Sequence, residues 1–142
     1  MDDINDLVVD DLSVISRYVT NPLLINGYKF DLRIYVVVTC YEPLRVYVYK
    51  EGLARFASET YSAKFNKNNK YMHLTNYSIN KKNRNFVQNE TIEQDDFGFK
   101  WSLSAFCKHL ETVGINMSLM WSRIYDVIIK TLSLGEHYIL QA

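Results

Sequence analysis

This 142-residue sequence predicts an α+β fold, an antiparallel sheet followed by two C-terminal helices, and three observations predict it. Arg33 to Cys40 is an almost unbroken run of β-branched and aromatic residues, the composition of a strand. Turn residues at Glu42-Pro43 and Glu51-Gly52 divide the next stretch of chain into short strand-like pieces, the spacing of an antiparallel meander. Finally, the apolar residues after position 102 recur every three or four positions, the period of a helix packed on one face.

In chain order, the apolar stretch Leu7 to Val19 reads as a strand running into a connection. Asn21-Pro22 breaks it, because proline lacks an N–H and steers the preceding residue away from helix. Asn26-Gly27 is a turn signal. The run Arg33 to Cys40 predicts a strand covered on both faces. A second strand is expected over Arg45 to Lys50, a tight turn at Glu51-Gly52, and a third strand over Leu53 to Ser58. Residues 59–71 are polar and rich in Asn and Lys, hence a surface loop. Met72 to Ile79 reads as a strand or extended segment, and residues 80–99 as a long loop. Leu103, Phe106, Cys107, Leu110 and Val113 then mark one helix, with Gly114 at its C-terminal cap. Met117, Met120, Trp121, Ile124, Val127, Ile128, Thr131 and Leu132 mark another, with Asn116 as N-cap and a stop near Gly135.

Composition limits the function classes. Sixteen basic residues balance sixteen acidic ones, so no global field favours nucleic acid or membrane. No run approaches the length of a membrane span, and nothing at the N-terminus has the apolar core of a signal peptide. Three glycosylation-like triplets, at Asn76, Asn89 and Asn116, are therefore taken as chance matches. Cys40 and Cys107 sit far apart in apolar runs and read as small buried hydrophobes in a reducing compartment. His73, His109 and His137 are scattered, so no protein metal site is expected.

Some charged and polar residues fit chemistry better than folding. Lys29, Asp31 and Arg33 alternate along an extended segment, which puts a cation, an anion and a cation on one face. They make either a structural salt-bridge ladder or a site for a charged ligand such as phosphate. His73-Leu74-Thr75-Asn76-Tyr77-Ser78 offers an imidazole, hydroxyls and an amide in six residues, suited to phosphate oxygens or to an ordinary turn. Arg55 interrupts an apolar strand and has the fork that matches a carboxylate. Lys100, just before the first helix, is a second candidate cation. Lys64, Lys67 and Lys70 form a basic loop that could dock an acidic peptide. Trp101 and Trp121 read as core residues.

The strings Ser16-Arg17-Tyr18-Val19-Thr20-Asn21-Pro22-Leu23-Leu24, Lys29-Phe30-Asp31-Leu32-Arg33-Ile34-Tyr35, Pro43-Leu44-Arg45, Glu51-Gly52-Leu53-Ala54-Arg55-Phe56-Ala57, His73-Leu74-Thr75-Asn76-Tyr77-Ser78-Ile79-Asn80-Lys81 and Lys100-Trp101-Ser102-Leu103-Ser104-Ala105 occur in an order and spacing that resembles the tubulin tyrosine ligase-like family, its polyglutamylase branch in particular. The resemblance runs from about Val14 to about Leu134. It implies part of an ATP-grasp fold, with residues 1–13 an acidic lead outside the match and residues 135–142 a truncated end.

By that resemblance, Ser16, Arg17, Tyr18 and Val19 form a hinge strand beside the adenine of ATP. Lys29 and Asp31 hold ribose and phosphates, and Thr75 and Asn76 reach the phosphate end. Arg55, Tyr77, Ser78 and Lys100 receive free glutamate, and Arg55 and Lys29 are the residues implied to be catalytic. The implied reaction activates an acceptor glutamate carboxylate as an acyl phosphate, which the amine of free glutamate attacks. The implied acceptors are tubulin tails or similar acidic segments, and the implied location is the cytoplasm and its microtubules, including cilium or basal body. Nucleic acid and membrane are not expected partners. The family's upstream lysine and glycine-rich phosphate loop have no counterpart before Val14, and its Glu-x-Asn site for Mg²⁺ would lie past Ala142. The chain is therefore expected to be a fragment inactive alone. The alternatives are a non-catalytic remnant that binds acidic protein tails, and a purely structural domain.

Overall fold

The computed structural model describes residue 14 and residues 16–62, 69–87 and 96–140, side chains at 136–138 and 140 excepted. Its core is a four-stranded antiparallel sheet in the order β1-β2-β3-β4, formed by Leu24–Ile25, Tyr28–Tyr41, Leu44–Phe56 and Lys100–Ser102. Asn26-Gly27 makes the expected turn between β1 and β2, with φ of 51° and 80°. Positive φ at both central residues matches the right-handed twist of the flanking strands, and Asn and Gly adopt it most cheaply. Glu42-Pro43 turns β2 into β3 through a cis peptide bond.

The long hairpin differs from the expected meander. Glu51 and Gly52 lie inside β3 rather than in a turn, and Gly52 pairs with Ile34. A Cβ on Gly52 would stand 2.3 Å from the Arg33 carbonyl oxygen, so this glycine permits close backbone approach where the register shifts between Ile34 and Val36. The expectation that β2 is covered on both faces is also corrected. Tyr35 and Val37 are 49% and 56% exposed, while Phe30 and Leu32 pack on the core, so the strand alternates as a one-sided sheet does.

Three further expectations are corrected. Ser16 to Val19 are exposed and carry no strand pairing, and the rest of the expected first strand, residues 7–13 and Ile15, lies outside the described residues. Met72 to Ile79 is mostly two single-turn helices, α1 (Lys70–His73) and α2 (Tyr77–Asn80), and only the link between them is extended, at Leu74 and Asn76. A four-residue helix shows no hydrophobic period, so pattern reading has nothing to detect. Cys40 and Cys107 are half-buried rather than buried. Of the Lys-rich loop, Lys64 and Lys67 lie outside the described residues, as do residues 88–95 of the expected long loop.

The two long helices form where expected. In α3 (Leu103–Thr112), Leu103, Phe106 and Leu110 are each 1% exposed and pack with Ile25, Ala54, Phe56 and Trp101. Burying each such side chain contributes roughly 1.5–3 kcal/mol. Trp101 belongs to this core as expected, and its indole N–H donates to the Gly98 carbonyl at 3.2 Å. Gly114, at φ 81°, follows α3 in the left-handed conformation of a helix stop. In α4 (Met117–Leu140), Asn116 caps the start through Leu119 N–H to its Oδ1 at 3.0 Å, but the helix runs through Gly135 to Leu140. One glycine costs a helix about 1 kcal/mol, too little to stop one this long.

Sequence reading missed the cap of α3. The Ala105 N–H donates to Ser102 Oγ at 3.1 Å, and Ser102 also ends β4, so one residue joins sheet and helix. Ser102→Ala should lower stability by about 1 kcal/mol in urea denaturation, with the slope of the transition unchanged.

Candidate functional site

Cross-strand pairing decides which charges meet. Asp31 lies opposite Arg55, and Arg55 lies opposite Lys100, so all three side chains leave the sheet on the face away from α3. Lys29 and Arg33 lie two residues either side of Asp31 and share that face. Neighbours in this patch stand roughly 5–7 Å apart by strand geometry. Among the described residues, Lys29, Arg33, Arg55 and Lys100 outnumber Asp31 on this face.

Arg55 grips Asp31 bidentately. Its Nε donates to Asp31 Oδ1 at 3.0 Å, and its Nη2 donates to Oδ2. The hydrogen bond to Asp31 holds the guanidinium pKa above its ordinary value against a smaller opposing effect of burial. This fork uses two of five N–H donors, so the outer edge of the guanidinium keeps donors for a second anion.

Lys29 points to the α1 end of the site. Its Nζ donates to the His73 carbonyl at 2.7 Å and stands 5.5 Å from the centre of the Tyr18 ring. Tyr18 in turn shares a hydrogen bond with His73 Nδ1 at 2.8 Å and meets the His73 ring edge-on. Burial, reinforced by Tyr61, pushes the Tyr18 phenol up to about 12, so it stays neutral at physiological pH. Tyr61 donates to the Thr20 carbonyl at 2.9 Å, which docks the Tyr18–Thr20 segment beside Lys29.

The structure therefore brings Tyr18, Lys29, Asp31, Arg55 and Lys100 around one face. Thr75 is half-buried and Asn76 exposed, at the rim beyond His73. Asn76 precedes α2 without using its side chain as a cap. Ser16, Arg17 and Val19 are exposed on the approach to Tyr18. Tyr77 and Ser78 are exposed on α2, and neither touches Arg55 by hydrogen bond or ring contact among the described residues. Tyr77 packs instead on Phe86, which stacks on Phe99 beside Lys100.

The donor set is compatible with the triphosphate of a nucleotide: Lys29 uses one of three N–H donors on His73, the Tyr18 ring stands beside it, and Arg55 lies on the same sheet face. It does not by itself suit a metal. Among the described residues no three His, Cys, Asp or Glu side chains group as ligands, and Asp31 is engaged by Arg55. An open apolar groove of about 740 Å³ lies elsewhere, between β2 and α4, lined by residues such as Leu32, Ile34, Met120 and Ile124. No residue expected at the site lines it, and its walls are mostly apolar side chains beside Asn116 and Arg123.

Sequence reading missed Tyr61, which docks the Tyr18 segment, and the buried pair Ser58 and Asn80 behind Thr75 and Asn76. Tyr61 and Asn80 read as loop residues and Ser58 as the end of the third strand, and only long-range contacts reveal their roles.

The model of the tubulin-tyrosine ligase family matches residues 1–142, taking in the acidic lead as well. The chain is 48% identical over 129 residues to tubulin polyglutamylase ttll-5 of Caenorhabditis elegans, an alignment covering 89% of this chain and 18% of that protein. It is 49% identical over 129 residues to mouse tubulin monoglutamylase TTLL4, covering 89% and 11%, and 44% over 133 residues to mouse tubulin polyglutamylase TTLL5, covering 93% and 10%. The chain thus spans between a tenth and a fifth of the length of these curated relatives. A family match along all 142 residues and the α+β arrangement of sheet and helices expected of a partial ATP-grasp fold lead to one conclusion: this chain belongs to the tubulin-tyrosine ligase family.

Proposed function

We propose that this chain carries the ATP- and glutamate-binding face of a protein–glutamate ligase that adds glutamate to side chains of tubulin tails or similar acidic segments. The observation that carries the reading is the Asp31–Arg55 fork set beside Lys29 on one sheet face. The names of the relatives, tubulin polyglutamylases and monoglutamylases, support the substrate class and an association with microtubules.

In this reading each side chain has a task that its surroundings allow. Tyr18 would stand beside the nucleotide base, and Lys29 would hold phosphate oxygens with the N–H groups not used on His73. Asp31 fixes the rotamer of Arg55, so its outer edge meets the carboxylate of free glutamate without an ordering cost at binding. Lys100, one strand over, takes the second carboxylate. Thr75 and Asn76 close the phosphate end, and Tyr77 and Ser78 approach the amino acid from α2. ATP, when bound with Mg²⁺, supplies the activation of the acceptor carboxylate, and the chain's part is to hold the glutamate amine in line for attack. The cationic excess of the face also favours an acidic acceptor by sign of charge.

Isothermal titration calorimetry tests this. The chain should bind Mg-ATP, and Lys29→Ala should weaken binding about tenfold, the loss of one charge-assisted hydrogen bond of about 1.4 kcal/mol. Unchanged affinity in Lys29→Ala would contradict the assignment. Binding of an acidic tubulin-tail peptide with no affinity for nucleotide would replace it with the tail-binding remnant.

A further inference from the structure

Behind the charged face, polar atoms gather where an apolar core would be simpler. Asn80 and Ser58 are 1% and 3% exposed, the buried polar side chains of the described residues. Asn80 Oδ1 accepts from the Ser58 N–H at 2.9 Å and from the Ser58 hydroxyl at 2.6 Å. Its Nδ2 donates to the Leu74 carbonyl at 2.7 Å and to the Asn76 carbonyl at 3.1 Å. Both lone pairs and both protons of the amide are thereby used, which is the condition for burying it. Asn83 Nδ2 extends the network to Ser58 Oγ at 2.9 Å and to Glu59 Oε1 at 3.1 Å, and Asn69 Nδ2 reaches Glu59 Oε2 at 2.6 Å.

The connectivity is what matters. Ser58 lies three residues past Arg55, just beyond β3, whereas Leu74 and Asn76 bracket Thr75. A residue that only ended a helix would bond its own neighbourhood, but Asn80 reaches 22 residues back to Ser58. An amide alone can do this, because one end must accept from Ser58 while the other donates to two carbonyls. We propose that Asn80 is a positioning residue: it fixes the Leu74–Asn76 segment against the strand that carries Arg55, and so sets the spacing between the nucleotide end and the glutamate end of the site. The proposal rests on the ATP and glutamate reading above.

The test uses the full chain and Mg-ATP. Asn80→Asp keeps the shape but sets acceptors against the Leu74 and Asn76 carbonyls. It should weaken Mg-ATP binding at least tenfold and shift the backbone amide resonances of Leu74, Thr75 and Asn76, leaving those of Leu103–Leu110 in place. Ser102→Ala serves as the control for stability loss alone and should keep its nucleotide affinity. Wild-type affinity in a folded Asn80→Asp overturns the proposal. If Asn80→Asp does not fold, Ser58→Ala decides: roughly threefold weaker binding with the same three resonances moved supports it, and no change overturns it. If the unaltered chain binds no Mg-ATP, the ligand reading falls, and the positioning claim stands or falls on the movement of Leu74–Asn76 alone.

Discussion

Gly52→Ala should destabilise the fold by about 3 kcal/mol, the upper end of what overpacking costs. The added Cβ would stand 2.3 Å from the Arg33 carbonyl oxygen and 3.3 Å from Leu103 Cδ2. The Leu103 side chain can rotate away, whereas the carbonyl is backbone and moves only if β2 and β3 part. They would part at the Gly52–Ile34 pair, beside the register shift between Ile34 and Val36. Urea denaturation measures the loss as a lower midpoint at unchanged slope. A change below about 0.5 kcal/mol, the scatter of an ordinary surface substitution, would show that the strands do not approach this closely.

Arg55→Ala should have the largest effect on ligand binding. It removes the fork that meets glutamate and leaves Asp31 without its partner, turning an attractive site into one with an anion facing an incoming carboxylate. Truncating one side of a charge-assisted pair at a partly desolvated site costs about 2–3 kcal/mol, roughly a 30- to 150-fold loss of glutamate affinity. The effect on stability should be smaller, about 1 kcal/mol, because both side chains remain partly in water at 24% and 36% exposure. Calorimetry with glutamate in the presence of Mg-ATP separates the two effects. Arg55→Lys should recover only part of the affinity, since an ammonium keeps the charge and loses the planar fork. Full recovery by lysine would show that charge alone, and not bidentate geometry, is recognised.

How far the sequence could be read depended on the range of the forces involved. Asn26-Gly27, Asn116 and the stripes of α3 and α4 act through neighbours a few residues away, so their patterns are visible in one dimension. Gly52 shows the limit. Beside a glutamate, between two strand-like runs, it reads as a turn. In fact it serves a strand on the other side of the hairpin, and the signal available was a glycine inside an alternating pattern. The apolar density of β2 suggested two covered faces, yet Tyr35 and Val37 lie on an open one. At the site, the alternation of Lys29, Asp31 and Arg33 was legible because strand period alone gathers them. The pairing of Asp31 with Arg55 needed the register of two strands, and Asn80 needed contacts across 22 residues. Neither leaves a local trace.

A crystal structure of the chain with a non-hydrolysable ATP analogue, Mg²⁺ and glutamate tests the central claim most directly. The phosphates should lie within hydrogen-bond distance of Lys29 Nζ, and a glutamate carboxylate should meet the outer edge of Arg55 with Asp31 still behind it. Ligands seated in the apolar groove against α4, or a nucleotide and an amino acid on opposite faces of the sheet, would contradict it.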